Sequence, residues 1–340
     1  MRVEDFNYEL PEELIAQDPV EPRDSSRLLL LDRTAKTIRH KRFSQLPEEL
    51  VAGDTLVIND TKVIPARIYT HKESGATIEL LLLKQVGLDC WQALVRPGKK
   101  ALPGVKLFFE LSEISAEIID TAEEGSRIIK FNYDGDFYSL IDRLGQMPLP
   151  PYIKKKLEDQ SRYQPVYARE RGSAAAPTAG LHFTESLLEE LEAKDINIVK
   201  ILLHVGLGTF RPVKTQIVEE HIMHAEYFRI EDSAAAILNK AKADGRRIIG
   251  VGTTSVRALE SAVGEDGLFN AKDGLTEKFI YPGYQFKTID GIITNFHLPK
   301  STLLMLVSAF ADRDYILNAY KVAIEERYRF FSFGDAMLII

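Results

Sequence analysis

The chain has 340 residues, a formal net charge of −7 and a pI of about 5.6. With 45% hydrophobic and 27% charged residues it has the balance of a soluble globular protein, and its length predicts two domains. The acidic total argues against a generic nucleic-acid binder, the lone Cys90 excludes an internal disulfide, and the apolar run Thr302–Ala311 is too short to span a membrane. No apolar stretch follows the charged N-terminus, as one does in a signal peptide, so we expect a cytoplasmic protein.

The first half of the chain predicts strands. The apolar segments Leu28–Leu31 and 54–59 each predict a buried strand. From about 61 to 133, glycines and charged turn residues separate short strand-like runs, which are Val63–Ile68, Ile78–Leu83, Cys90–Val95, Val105–Phe109, Ile114–Ile119 and Arg127–Phe131. Their spacing predicts a small antiparallel barrel of about six strands, and the proline-rich segment Met147–Tyr152 is typical of a domain junction.

The second half alternates helices with strands. We predict helices after a Thr184 cap, over 232–242, from about Thr254, over 301–311 and over 313–326, with strands at 198–205 and 247–251. Such alternation indicates an α/β domain whose sheet is largely buried. The predicted fold class is therefore α/β, with a larger α/β domain formed by residues 1–60 and 151–340. The small antiparallel β-barrel is expected to be inserted at 61–150.

The segment Gly172–Thr184 is a run of small residues that leads to His182. Small side chains let a backbone approach a ligand closely, so Pro177, Thr178 and Gly180 are candidate ligand contacts. A tightly packed loop explains the same composition equally well.

The segment His204–Pro212 directly follows a predicted strand. Its glycines, Gly206 and Gly208, lack the third glycine of a dinucleotide-binding fingerprint, and a proline falls where the helix of that motif should run. We therefore predict a glycine-bordered ligand loop at the carboxyl end of a strand, with Thr209 and Arg211 positioning the ligand.

Two histidines three residues apart, His221 and His224, lie close to Glu226 in the sequence. Such a group can hold a metal, but a zinc site requires more ligands than this spacing offers. We predict no metal here and interpret the histidines as proton carriers or hydrogen-bond donors.

A predicted strand, a glycine turn and a helix start meet at Gly252. The free amides of the helix N-terminus, at Gly252, Thr253 and Thr254, suit a phosphate, a ribose or a carboxylate. An ordinary helix cap at Thr254 is the alternative interpretation. Arg257 and Glu260 lie one turn apart and are read as a surface pair.

Two C-terminal segments add further candidates. Tyr281 offers a ring that can stack on a base, although core aromatics are equally common. Asn295 and His297 lie two residues apart, and the histidine is a catalytic candidate, although a lone histidine is more often structural.

Three basic clusters interrupt the acidic total: residues 36–42, the group Arg96, Lys99 and Lys100, and the triplet Lys154–Lys156. Each can be explained as a solvated surface. If the partner is RNA, such clusters must meet its phosphates, and we expect Lys154 and Lys155 to do so.

Taken together, these segments resemble one family. The matching motifs are Leu10–Gln17, Arg23–Arg27, Asn59–Arg67, Met147–Ile153, Ala174–Thr184, His204–Val213, Glu220–Glu226, Gly252–Ser255, Tyr281–Tyr284 and Asn295–Lys300. They occur in family order and resemble the S-adenosylmethionine:tRNA ribosyltransferase-isomerases of queuosine synthesis. The sequence departs from the family pattern at Asp60, where the family more often has Asn.

The resemblance implies a reaction. The family transfers and isomerises the ribosyl moiety of S-adenosylmethionine onto 7-aminomethyl-7-deazaguanine at the tRNA wobble position, and it releases adenine and methionine as epoxyqueuosine forms. It implies S-adenosylmethionine as co-substrate, no metal cofactor, the tRNA anticodon stem-loop as partner, no membrane association and a monomer. Within the matching segments, the catalytic candidates are His182, His204, His224 and His297. The candidates for cofactor binding are Pro177, Thr178, Gly180, Gly206, Gly208, Thr209, Arg211, Gly252, Thr253, Thr254, Tyr281 and Asn295.

The chemistry needs a base to remove a C5′ proton beside the sulfonium, a group that assists adenine as it leaves C1′, and a neutral aminomethyl nucleophile. Two other functions stay open. An S-adenosylmethionine-dependent RNA methyltransferase would use the same cofactor, but the usual strand–GxGxG–helix opening is missing near the N-terminus. A non-catalytic RNA-binding protein would leave the polar, glycine-bordered loops without a purpose.

Overall fold

The computed structural model describes residues 1–206 and 213–340. No helix within these ranges is both long enough and apolar enough to cross a membrane. Up to residue 146 the elements are β1 (Arg27–Asp32), β2 (Thr37–Arg42), α1 (Leu46–Glu49), β3 (Thr55–Asn59), β4 (Thr61–Val63), β5 (Arg67–His71), β6 (Thr77–Gly87), β7 (Cys90–Arg96), β8 (Lys106–Phe108), β9 (Ile114–Thr121), β10 (Arg127–Tyr133), α2 (Phe137–Leu144) and β11 (Gly145–Gln146). After it come β12 (Glu170–Ser173), α3 (Glu185–Ala193), β13 (Asn197–Leu203), β14 (Glu226–Ile230), α4 (Asp232–Ala243), β15 (Ile248–Val251), α5 (Gly252–Ala262), β16 (Lys272–Thr276), β17 (Gly291–Asn295), α6 (Thr302–Ala311), α7 (Arg313–Glu325) and β18 (Ala336–Ile339).

The chain divides into two compact units. The larger contains residues 1–61, 151–170 and 177–340, and the smaller contains residues 62–150 and 171–176.

The larger unit is built on a nine-stranded sheet in the order β16-β14-β13-β3-β15-β17-β18-β1-β2. The four strands β13, β3, β15 and β17 run parallel. The strands that flank them run the opposite way, with β14 antiparallel to β13 and β18 antiparallel to β17. Every residue of β3, β15 and β17 is buried, as expected of parallel strands covered on both faces. Leucine, isoleucine and valine side chains from β1, β3, β15 and α3 form a core on this sheet.

The smaller unit is a closed antiparallel barrel. Its strands follow the order β5-β6-β7-β10-β9-β8, and His71 of β5 pairs with Phe108 of β8 to close it. Alternate residues of β6 point inward and join a core of aliphatic and aromatic side chains. The large mixed sheet and the closed six-stranded barrel confirm the predicted fold class.

One element of the barrel unit was not predicted. Helix α2 follows β10, in a segment for which neither a helix nor a strand was predicted. Asp136 caps it by accepting a hydrogen bond from the amide of Ser139 (2.8 Å), and Phe137, Leu140 and Ile141 are buried against the barrel core. The cap and the i, i+3, i+4 spacing of these residues were the overlooked signals.

Candidate active site

The carboxyl ends of β13, β3, β15 and β17 meet along one edge of the large sheet, because these strands are parallel. We call this the carboxyl edge; it comprises residues 203–206, 59–61, 251–254 and 295–297. Strands β14, β18 and β1 run the opposite way, so their amino ends lie at the same edge. Polar side chains from seven strand ends therefore converge here, the usual place for a ligand site in an α/β sheet.

His182 lies at the centre of this convergence and is 4% exposed. Asn295 donates a hydrogen bond through Nδ2 to His182 Nε2 (3.1 Å), so Nδ1 carries the proton and donates to Ser26 Oγ (2.7 Å). The ring also stacks on Phe43, with centroids 4.9 Å apart. Burial lowers the pKa of His182 to about 3. The imidazole is therefore neutral, fixed in one tautomer, and has both nitrogens engaged.

Asn295 and Thr254 each present a buried polar atom with no hydrogen-bond partner among the described residues. The Asn295 Nδ2 group donates to His182 and to the carbonyl of Phe331 (3.1 Å), which leaves its Oδ1 unpartnered. Thr254 Oγ1, in the first turn of α5, is also unpartnered. A buried polar atom without a partner costs about 1–3 kcal/mol. Both atoms are thus suited to hydrogen-bond a ligand at the carboxyl edge.

Helix α5 begins directly after β15, at Gly252, whose φ of +84° permits this sharp turn. No side chain among the described residues caps the helix, so they leave the first-turn amides available. Thr254 is therefore not the ordinary cap that the sequence also allowed. Thr253 and Thr254 are buried in the same turn.

The small-residue segment forms a short 3-10 helix, Thr178–His182. A Cβ on Gly180 would lie 2.3 Å from the hydroxyl of Tyr167, so packing alone explains this glycine. Pro177 is buried and Thr178 is half-buried. Tight packing thus explains part of the segment, and His182 at its end supplies the polar contacts.

His204 follows β13 and is only half-buried. Its Nδ1 lies 2.8 Å from Thr61 Oγ1, and its ring stacks against Tyr227 with centroids 5.9 Å apart. Its Nε2 has no hydrogen-bond partner in the described part of the chain, and burial lowers the pKa of the imidazole. Of the histidines at the carboxyl edge, His204 is the best placed to exchange a proton with a ligand.

His297 is 6% exposed, and burial lowers its pKa to about 3. Its Nε2 lies 2.9 Å from Thr294 Oγ1, its amide donates to the hydroxyl of Tyr320 (2.9 Å), and its carbonyl accepts from Tyr8 (2.5 Å). These contacts tie His297 into an aromatic cluster behind the carboxyl edge.

Glu226 and Arg257 form a buried ion pair, at 6% and 3% exposed, and Glu226 also accepts a hydrogen bond from the amide of Gly206 (2.8 Å). Arg257 is therefore not half of a surface pair with Glu260. Glu260 is itself buried and accepts from Tyr284 and from the 287–288 backbone. The two side chains brace different segments.

The remaining candidates lie in several places. His224 is exposed, His221 is half-buried against Phe279 (centroids 5.3 Å apart), and Tyr281 packs on the same Phe279 (4.9 Å). Within residues 1–206 and 213–340, no group of three or more His, Cys, Asp or Glu residues is arranged to hold a metal ion. The predicted contacts Gly208, Thr209 and Arg211 lie outside the described residues.

Three polar residues at the carboxyl edge were missed as site residues. Ser26 and Thr61 bond the two histidines described above, and Asn59 links β3 to β13 through both atoms of its amide. Their position directly before or after a buried strand was the available signal. Asp60 lies between Asn59 and Thr61, and burial raises its pKa and favours its neutral form. A neutral carboxyl group resembles the asparagine side chain that the family more often has at this position.

A separate cleft of about 570 Å³ lies at the opposite end of β14. It is lined by residues 229–233 and 271–273 and contains none of the predicted site residues. The candidate site is therefore defined by the convergence of polar groups at the carboxyl edge and not by this cleft.

Comparisons with known proteins agree along the whole chain. The sequence model of a family described as "Queuosine biosynthesis protein" matches residues 3–339. An S-adenosylmethionine:tRNA ribosyltransferase-isomerase of Desulfitobacterium hafniense is 57% identical and one of Caldanaerobacter subterraneus subsp. tengcongensis is 58% identical, and both alignments cover 100% of each chain. The crystal structure of an S-adenosylmethionine tRNA ribosyltransferase from Thermotoga maritima is 40% identical, with a TM-score of 0.56, and the match covers 99% of this chain and 100% of that one.

Proposed function

The chain belongs to the queuosine biosynthesis protein family, and on that premise we propose that it is an S-adenosylmethionine:tRNA ribosyltransferase-isomerase. It transfers and isomerises the ribosyl moiety of S-adenosylmethionine onto 7-aminomethyl-7-deazaguanine at the tRNA wobble position. The products are epoxyqueuosine-tRNA, adenine and methionine. The observation that carries this conclusion is 57–58% identity, over complete lengths, to curated relatives with this name.

We assign S-adenosylmethionine to the carboxyl edge. Its two N–H donors are the adenine amine and the methionine ammonium, and Asn295 Oδ1 is an unpartnered buried acceptor suited to one of them. Thr254 Oγ1 and the first amides of α5 offer further hydrogen bonds beside it. His182 does not touch the ligand in this assignment. It is a positioning residue, because it holds the Asn295 amide with its oxygen free.

We assign the role of proton acceptor to His204. In the tautomer whose Nδ1–H donates to Thr61 Oγ1, its Nε2 lone pair is available to take the C5′ proton beside the sulfonium. The lowered pKa keeps the imidazole neutral near pH 7, which a base requires. His297 supports the edge from behind, and the exposed His224 remains a candidate for contact with RNA.

The bond changes balance without a redox partner. Removal of the C5′ proton gives an ylide, the C1′–N9 bond breaks as adenine leaves with a proton, and the aminomethyl nitrogen bonds to C1′ and loses a proton. C5′ then bonds to C1′ as the C1′–O4′ bond breaks. O4′ displaces the sulfur from C5′, which closes the epoxide and releases methionine. We propose that the partners are tRNA and S-adenosylmethionine, that no metal takes part, and that the enzyme acts as a cytoplasmic monomer.

The test is a product assay. Supplied with S-adenosylmethionine and tRNA carrying the aminomethyl base, the protein should release adenine and methionine in equal amounts. The matched control is the same tRNA with guanine at the wobble position, which should give neither product. Release of S-adenosylhomocysteine would indicate a methyltransferase instead, and no turnover with a verified substrate tRNA would indicate a binding protein.

A further inference from the structure

We propose that a basic turn on the barrel binds phosphates of the substrate tRNA. The barrel turn consists of Arg96, Lys99 and Lys100, which lie at the end of β7 and in the short 3-10 helix that follows it. This inference rests on the proposed function, because it takes tRNA as the partner. It is drawn from a comparison of the three basic clusters of the chain.

In each of the other two clusters, two of the cations already pair with carboxylates. In the triplet Lys154–Lys156, Lys154 forms a salt bridge with Glu12, and Lys155 forms one with Asp18 (2.8 Å). In the cluster at 36–42, Arg39 pairs with Glu49 (2.9 Å), and Lys41 pairs with Glu48 and Glu49. A cation that already has a carboxylate partner gains less from a phosphate. Lys154 and Lys155 are therefore weaker candidates for contact with tRNA phosphates than the barrel turn is.

The charges of the barrel turn are not paired. Arg96, Lys99 and Lys100 are all exposed, and none of them forms a salt bridge within the described part of the chain. The acid directly across the ladder from Arg96 is Glu79, and it is engaged with Arg67 (3.2 Å). Three like charges therefore face water on one short segment, which is an electrostatic footprint of phosphate binding.

The backbone of the barrel turn is held rigid from beneath by Arg127, which is 8% exposed. Its guanidinium donates to the carbonyls of Ala101 (2.7 Å), Gly98 (3.2 Å) and Gly125 (2.7 Å). Lys72 adds a hydrogen bond to the carbonyl of Lys100 (3.1 Å). Because the turn is fixed before binding, only the side chains of its cations lose conformational freedom when they meet phosphates.

Exposed rings lie next to the barrel turn. Lys72, which bonds the turn, directly follows His71, and His71 pairs with Phe108 where the barrel closes, with centroids 6.2 Å apart. Phe108 is 37% exposed. Cations beside an exposed aromatic pair suit RNA, whose phosphates and bases occur together, better than they suit an acidic peptide.

The experiment compares two triple variants with the same loss of charge. One is R96A/K99A/K100A, and the matched control is R39A/K154A/K155A, which removes cations that are already paired. Binding of substrate tRNA is measured from 50 to 200 mM salt. Each phosphate contact contributes about 0.7–0.9 to the slope of log affinity against log salt. The barrel variant should therefore lose about 2–3 units of slope and bind at least tenfold more weakly, whereas the control should lose less than one unit.

The readouts separate this inference from the proposed function. The parent protein must first release adenine with the substrate tRNA, and failure there would count against the function and not against the turn alone. In an active parent, an unchanged slope in the barrel variant, or an equal loss in the control, would overturn the inference. Unchanged affinity for S-adenosylmethionine and an unchanged melting temperature show that the variant is folded. The double reversal K99E/K100E repeats the test with a larger change of charge at fewer positions.

Discussion

Asn295 Nδ2 lies 3.1 Å from His182 Nε2, and this hydrogen bond joins residues 113 positions apart at the carboxyl edge. Ser26 holds the other side of the imidazole (2.7 Å), and the Phe331 carbonyl holds the other hydrogen of the amide (3.1 Å). These hydrogen bonds hold the His182 imidazole in one tautomer. They also hold the Asn295 amide with its oxygen pointing away from His182 and Phe331. As a result, Asn295 Oδ1 is buried and has no hydrogen-bond partner among the residues that the structure describes.

Replacement of Asn295 by Ala should raise the KM for S-adenosylmethionine about fivefold, because it removes one hydrogen bond worth about 1 kcal/mol to the ligand. Replacement of Asn239 by Ala is the matched control. Asn239 also makes two hydrogen bonds through its amide, both to Phe269 (2.8 Å), but it lies on α4. Steady-state kinetics check this, and equal KM values for the two variants would contradict the assignment.

Replacement of His204 by Gln should lower kcat by about 10²–10⁴-fold while KM changes little, as expected for a general base. In the parent, kcat should fall as the pH drops through the pKa of His204, which burial places below the usual histidine value, and should stay level near neutrality. The exposed His40, replaced in the same way, serves as control. A His204 variant with parental kcat would exclude it as the base.

Sequence patterns relate residues that are close along the chain, so they predicted the helix caps but not the hydrogen bonds between distant elements. Thr184 and Ser301 cap α3 and α6 as local spacing indicates, by accepting from Leu187 (3.1 Å) and Leu304 (3.2 Å). The bond between Ser26 and His182 joins different elements and depends on which strands become neighbours in the sheet. No local pattern contains that information.

The spacing of residues in the sequence also did not reveal which side chains are buried. Arg257 and Glu260 have the spacing of a surface pair, but α5 packs on the sheet and both side chains are buried with different partners. Gly180 has the appearance of a ligand-binding glycine, but it is required by the hydroxyl of Tyr167. In both cases the tertiary neighbour decides the role.

Acidification should destabilise the protein through its buried histidines. His182 and His297 have pKa values of about 3 when folded, against about 6.5 when unfolded, so the unfolded chain binds more protons between these values. The free energy of unfolding should therefore fall by about 1.4 kcal/mol per pH unit for each histidine as the pH drops below 6.5. Urea unfolding at several pH values measures this dependence. In His297→Gln the unfolding free energy should fall by about 1.4 kcal/mol less per pH unit than in the parent, and an equal pH dependence would contradict the prediction.

The buried pair of Arg257 and Glu226 should matter far more than an exposed pair. Arg257→Met removes the buried cation that pairs with the Glu226 carboxylate and should cost about 3–5 kcal/mol of unfolding free energy. Lys240→Met breaks the exposed pair with Asp244 (2.6 Å) and should cost at most about 0.5 kcal/mol. Denaturant unfolding compares them directly, and similar costs for the two variants would show that the buried pair has no special weight.

The most direct measurement of the central claim follows the ribose carbons. The protein is incubated with the aminomethyl-base tRNA and S-adenosylmethionine carrying ¹³C throughout its ribose, and the nucleosides of the digested tRNA are analysed by mass spectrometry. The account predicts that all the ribose label appears in the wobble nucleoside, with unlabelled adenine and methionine released. Label that remains in S-adenosylhomocysteine, together with a methyl group added to the RNA, would contradict it.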